Sequence, residues 1–69
     1  MKTIQFTDRF GNVLGSATLT DEGTIESDTA DIDALVADFS GWGRTPDEFI
    51  ERFSDYNSGY LVGKLVSDE

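Results

Sequence analysis

Carboxylates are the side chains of this sequence with the most chemical capacity, because they can bind cations, transfer protons and attract basic partners. The 69 residues include 14 Asp and Glu against 5 Lys and Arg, a net charge of −9. Between Arg9 and Arg44 the chain has no basic residue. That segment contains half of the acids: Asp21, Glu22, Glu26, Asp28, Asp31, Asp33 and Asp38. It therefore carries −7 of the net charge, and the other residues together carry −2.

A concentrated negative charge predicts a surface that attracts positive charge. We expect these seven acids to form an acidic face, with Asp31 and Asp38 two helical turns apart on one flank of a helix. The acidic face could bind a protein partner with a basic surface. It could also imitate DNA phosphates and block a DNA-binding or defence protein. A solvated face that only keeps the protein soluble explains the same charge pattern.

Trp42 is the second candidate, since it lies between two glycines and is followed closely by Arg44. Trp and Arg are enriched at binding hot spots, and glycines leave the backbone free to present them. The same Trp could instead fold onto the core, because a chain this short needs its apolar area. The size of the core favours the second interpretation. Trp42 and Arg44 remain candidate partner-binding residues.

Several enzyme mechanisms are excluded by residue types that the chain lacks. It has no histidine and no cysteine, which excludes Cys/His zinc sites, thiol nucleophiles, imidazole bases and disulfides. Paired carboxylates hydrolyse glycosides only in a cleft that desolvates one of them, and a domain of 69 residues has almost no interior for such a cleft. Residues 55–59 match the start of a calcium loop, but Tyr60 and Val66 stand where glycine and glutamate are required. We predict a protein that is not an enzyme and binds no metal or cofactor.

Charge and hydropathy also bear on location. The first residues lack the basic and apolar segments of a signal peptide, and no run approaches the roughly 18 apolar residues that span a bilayer. The net charge opposes direct binding to nucleic acid or to an anionic membrane. We expect a cytoplasmic protein that forms a single domain over residues 1–69.

The first part of the chain has the period of β-strands. Apolar and polar residues alternate over residues 2–7 and 13–20, which predicts two strands joined in a hairpin by the polar turn 8–12. A tight turn at residues 21–23 precedes a short third strand at residues 24–26.

The middle of the chain changes to the spacing of an amphipathic helix between Ser27 and Gly41. Ser27 or Asp28 can cap its N-terminus, and Gly41 can close its C-terminus. Its apolar stripe consists of Ile32, Leu35, Val36 and Phe39.

A second helix begins with a capping box, in which Thr45 is the N-cap, Pro46 takes the first helical position and Glu48 reaches back. We expect Glu48 to pair with Arg52 one turn later. The apolar stripe of this helix consists of Phe49, Ile50 and Phe53.

A final strand is predicted over residues 59–66, which are rich in strand-forming types. The element order is then β-β-(β)-α-α-β. We predict an α+β fold in which a small antiparallel sheet of three to four strands is covered on one face by two short helices. The sequence leaves open whether the first and last strands pair.

Three stretches carry a resemblance to known proteins: residues 8–15 (DRFGNVLG), 44–49 (RTPDEF) and 57–60 (NSGY). In this order the sequence resembles small acidic orphan proteins encoded by phages and prophages of actinobacteria. The resemblance implies a hairpin, a helical middle and a terminal strand, with no catalytic residue. It also implies a protein that binds and disables a host protein.

We therefore expect a phage-encoded, non-enzymatic module that binds or inhibits a host or viral protein through the acidic face and Trp42. Two alternatives stay open. One is a DNA mimic that inhibits a DNA-binding or defence protein. The other is a structural or assembly accessory protein that forms homo-oligomers through an edge strand.

Overall fold

The structure of the protein is a computed structural model that describes residues 1–68. These residues form five strands and two helices. In chain order they are β1 (Lys2–Asp8), β2 (Val13–Leu19), β3 (Ile25–Ser27), α1 (Ala30–Gly41), α2 (Pro46–Phe53), β4 (Asp55–Asn57) and β5 (Leu61–Asp68). The predicted α+β fold is confirmed, and the sheet has one strand more than expected.

The five strands form a single antiparallel sheet in the order β3-β2-β1-β5-β4. The first and last long strands pair, with Lys2 opposite Asp68 and Asp8 opposite Leu61. β4 was not predicted; it pairs with β5 and forms one edge of the sheet. β3 forms the other edge.

The apolar residues of the sheet lie on one face, where both helices pack. Because side chains alternate along a strand, Ile4 and Phe6 share a face with their cross-strand neighbours Ala17 and Gly15. The Phe6 ring meets α2 edge-on, with its centroid 5.5 Å from that of Phe53. The buried apolar residues are Ile4, Phe6, Ala17, Ile32, Phe39, Phe49, Ile50 and Phe53. Both predicted helical stripes are confirmed as the helix contribution to this core.

Two glycines of the sheet allow the close approach of other elements. Gly15 has a φ of +146°, and a Cβ there would meet Thr29 Oγ1 and lie 2.8 Å from Ile32 Cγ1. A Cβ on Gly63 would lie 2.5 Å from the backbone carbonyl oxygen of Phe53. A larger residue at either position would therefore push a helix terminus away from the sheet.

The start of α1 differs from the prediction. Thr29 is the N-cap, and its Oγ1 accepts the backbone N–H of Ile32 at 3.4 Å. The predicted caps Ser27 and Asp28 are wrong, because Ser27 ends β3 and Asp28 bonds to β2. At the other end, Gly43 turns the chain with a φ of +77° and donates its N–H to the Ser40 carbonyl.

The start of α2 agrees with the prediction. Thr45 Oγ1 accepts the backbone N–H of Glu48, and Glu48 Oε1 accepts the backbone N–H of Thr45, both at 3.3 Å. Pro46 occupies the first helical position. Across residues 1–68, neither helix is long and apolar enough to cross a membrane.

Candidate protein-binding surface

The seven acids of the acidic face all have exposed side chains, and six of them lie on β3, in the turns beside it or in the first turn of α1. Asp38 is separate from these six, because it shares a hollow with Arg52 and Tyr56. Asp21 and Glu22 occupy the turn between β2 and β3. Glu26 is the middle residue of β3, and Asp28 follows that strand. The remaining acids belong to α1, which packs over β2 and β3: Asp31, Asp33 and Asp38.

Asp28 is held by the backbone of the neighbouring strand. Its carboxylate accepts the backbone N–H of Ser16 at 2.7 Å and the Ser16 hydroxyl at 3.0 Å. Thr29, the next residue, donates its hydroxyl to the Leu14 carbonyl at 3.0 Å. The hydrogen bond from the Ser16 backbone is the main cause that lowers the pKa of Asp28. This carboxylate is ionised at neutral pH and serves the fold.

Two further acids have partners within the chain. Asp33 Oδ1 accepts the Ser27 hydroxyl at 2.7 Å. Asp21 lies 3.7 Å from the N-terminal amine of Met1, an exposed ion pair of the kind that contributes little stability. The side chains of the other four acids make no hydrogen bond or ion pair with any described residue: Glu22, Glu26, Asp31 and Asp38.

Three of the acids line one hollow of about 490 Å³, here called the β3 hollow. Its lining consists of Ile25, Glu26, Ser27, Asp28, Thr29, Ala30 and Asp33. No basic side chain lines it. Asp38 instead lines a separate, smaller hollow next to Trp42. Within residues 1–68, no group of three or more Asp or Glu side chains is placed to hold a metal ion.

Trp42 lies directly after α1 and is 73% exposed. Its interpretation as a core residue is therefore wrong. The indole touches the core only at its margin, with its centroid 6.2 Å from that of Phe39. Trp42 and Arg44 both line a cleft of about 530 Å³, here called the Trp42 cleft, with Phe39, Glu48, Glu51 and Arg52.

Arg44 pairs with the first turn of α2. Its Nη1 lies 3.1 Å from Glu48 Oε2, and this hydrogen bond is the main cause that lowers the pKa of Glu48. The predicted pair between Glu48 and Arg52 is therefore wrong. The Arg52 guanidinium lies over the Tyr56 ring instead, 5.9 Å from its centroid.

An exposed aromatic pair that the sequence analysis missed lies at the C-terminal end of β1. Phe10 and Tyr60 are 74% and 75% exposed. The Arg9 guanidinium lies 4.7 Å from the Phe10 centroid and 5.7 Å from the Tyr60 centroid. A phenylalanine in a polar turn was a usable signal for Phe10. Its proximity to Tyr60 depends on the pairing of β1 with β5, which the sequence did not reveal.

The turn that contains Phe10 is held in place by the side chain of Asp8. Its carboxylate accepts the Asn12 side-chain amide at 3.0 Å and the backbone N–H groups of Phe10 and Asn12 at 2.8 and 2.9 Å. The Asn12 side chain is the main cause that lowers the pKa of Asp8. Residues 1–68 contain no buried charged side chain. Carboxylates with lowered pKa values stay ionised at neutral pH, which suits charge attraction better than proton transfer.

Fold and surface together define a small acidic α+β protein whose free carboxylates and exposed tryptophan lie on one helix, one strand and their connecting turns. No protein-family model, curated protein or solved structure matches this chain.

Proposed function

We propose that this protein is a non-enzymatic binding module, encoded by a phage, that binds a basic surface on a host or viral protein in the cytoplasm. The observation that carries the proposal is the exposure of all seven acids between Arg9 and Arg44, of which Glu26, Asp28 and Asp33 line one hollow that contains no base. The resemblance of residues 8–15, 44–49 and 57–60 to actinobacterial phage proteins supports the phage origin.

The free carboxylates are the groups that a partner would meet first. Glu22, Glu26, Asp31 and Asp38 have no partner among the described side chains. Acids without neutralising bases repel each other, and this repulsion works against the folded state. A basic partner relieves the repulsion and is also attracted from a distance, which raises its rate of association. Trp42 adds an exposed aromatic side chain of the type common at binding hot spots.

Capture from an extract of an actinobacterial host tests this proposal. The immobilised wild type is compared with two double variants, Asp31→Lys/Asp38→Lys and Asp47→Lys/Asp55→Lys, each of which raises the net charge from −9 by four. We expect the wild type and the second variant to retain the same protein at low salt. Both should release it at about 1 M salt, where the Debye length falls to about 3 Å. Equal retention of that protein by the Asp31→Lys/Asp38→Lys variant would refute the proposal.

Adding duplex DNA to the immobilised complex distinguishes a DNA-binding partner from other basic partners. If duplex DNA releases the captured protein, the acidic face occupies a DNA-binding site, and the module is a DNA mimic. If DNA leaves it bound, the basic surface has another role. Sedimentation of the purified chain tests the remaining alternative, because an assembly protein would form homo-oligomers that persist at high salt.

A further inference from the structure

We propose that the outer edge of β3 holds the partner by accepting an extended, basic segment as an added strand of the sheet. This inference rests on the proposed function, because it takes the partner to be basic. It adds the manner of binding and the conformation of the bound segment.

The edge of β3 has backbone groups that no strand uses. The Asp28 N–H donates to the Ser16 carbonyl at 3.2 Å, and the Thr20 N–H donates to the Thr24 carbonyl at 2.8 Å. Hydrogen-bonded and non-hydrogen-bonded pairs alternate along an antiparallel ladder. Ile25, opposite Leu19, and Ser27, opposite Ala17, are therefore non-hydrogen-bonded pairs.

It follows that the N–H and C=O groups of Ile25 and Ser27 point away from β2. β3 is the last strand on this side of the sheet. No described residue outside the sheet bonds these groups. They present the alternating donors and acceptors that an added strand requires.

The surroundings of this edge select a basic occupant. Glu26 lies on β3 and Asp33 on the first turn of α1, and both line the β3 hollow, where no base is present. Side chains of an added strand alternate between the two faces of the sheet, so that they pass Glu26 on the open face and Asp33 on the face that the helices cover. Lysine or arginine would find a carboxylate on either side. A second copy of the chain is disfavoured, because it would bring the same acids against each other.

The opposite edge lacks this selectivity. In β4, Asp55 stands opposite Lys64, and Arg52 lies over the ring of Tyr56. Bases already accompany the acids there. Charge complementarity therefore assigns a basic strand to the β3 edge.

Two synthetic peptides of identical charge test the inference on the wild-type protein. One alternates lysine and valine; the other has the same sequence with every backbone nitrogen methylated, so that neither of its edges can donate the hydrogen bonds of a strand pair. We expect the unmethylated peptide to bind at least about tenfold more tightly by calorimetry, since the methylated one cannot form the ladder hydrogen bonds. We also expect it to protect the amide protons of Ile25 and Ser27 from hydrogen exchange.

Two variants of Ser27 test whether the peptide binds at the outer edge of β3. Ser27→Ala and Ser27→Pro both lose the hydroxyl that donates to Asp33, but only proline also removes the outward N–H. Because both variants lack the hydroxyl, we expect the proline variant to bind the lysine–valine peptide about tenfold more weakly than the alanine variant. Should Ser27→Pro fail to fold, the two peptides on the wild type decide the question.

The outcomes separate this inference from the proposed function. Equal binding of both peptides to the wild type, without amide protection at Ile25 and Ser27, would overturn strand addition and leave an acidic face that attracts charge alone. Absence of binding by either peptide at low salt would contradict the proposed function and, with it, this inference.

Discussion

Asp28 and Asp31 carry the same charge three positions apart, but their side chains have different surroundings. Asp28 accepts two hydrogen bonds from Ser16, whereas Asp31 is exposed on α1 without a partner. Ser16 lies twelve residues from Asp28 in the chain. The local sequence around the two acids therefore could not distinguish an acid that holds the fold from one that is available to a partner.

Replacing each acid by its amide separates these roles. We expect Asp28→Asn to unfold at a lower urea concentration than the wild type at neutral pH, because it loses the charge that the Ser16 N–H and hydroxyl stabilise. Asp31→Asn removes the same charge from the first turn of α1, where the loss of the helix-dipole attraction is offset by relief of repulsion, so it should lose less stability than Asp28→Asn. A larger loss for Asp31→Asn would contradict these roles.

The pH dependence of that difference has a definite sign. The pKa of Asp28 is lower in the folded protein than its ordinary value of 3.8. Its contribution is therefore present above pH 3.8 and is lost as the pH falls through the folded pKa. We expect the stability gap between wild type and Asp28→Asn to close as the pH falls below 3.8. Urea titrations repeated down to strong acid measure it, and a constant gap would show that the charge plays no part.

Two glycines allow a matched test of packing. Gly63→Ala should cost about 1–3 kcal/mol, because its Cβ would lie 2.5 Å from the Phe53 carbonyl oxygen. Gly41 is helical and has nothing within 4 Å of a Cβ, so Gly41→Ala should stabilise the protein by about 0.5–1 kcal/mol. Urea unfolding of both variants measures these values. A neutral Gly63→Ala would contradict the close contact of β5 with the end of α2.

At the scale of elements, the parts that could be predicted are those with short-range causes. The capping box of α2 spans only Thr45 to Glu48, so the sequence contains all of its atoms. The start of α1 was misplaced because Ser27, Asp28 and Thr29 are all good N-cap types. β4 has too few residues to show a period, and it exists because β5 supplies a partner.

We expect the side chain of Thr29, the N-cap of α1, to contribute more to the stability of the protein than that of Ser27. Thr29→Ala removes the acceptor of the Ile32 N–H and the donor to Leu14, and should cost about 1 kcal/mol. Thr29→Ser keeps both hydrogen bonds and should cost much less. Ser27→Ala, at the position predicted from sequence, is the control in the same urea assay. A greater loss of stability for Ser27→Ala than for Thr29→Ala would contradict the assignment of Thr29 as the N-cap.

At the scale of the whole molecule, the distribution of charge matters more than its total. The protein measures 33 × 27 × 19 Å, whereas charges in physiological salt are screened over about 8 Å. A partner at the β3 side therefore senses the local acids and little of the rest. The uneven charge was evident in the sequence. The free edge of β3 and the position of Arg9 over the rings of Phe10 and Tyr60 were not evident, because both depend on which strands become neighbours.

The most direct test of the acidic face compares proteins of equal net charge. Calorimetry with a synthetic oligolysine, from about 0.01 to 1 M salt, would be run on the wild type, on Asp31→Lys/Asp38→Lys and on Asp47→Lys/Asp55→Lys. We predict that the first variant binds at least about tenfold more weakly than the second at low salt and depends less steeply on salt. Equal affinities for the two variants would mean that binding follows total charge alone, and would contradict a located binding face.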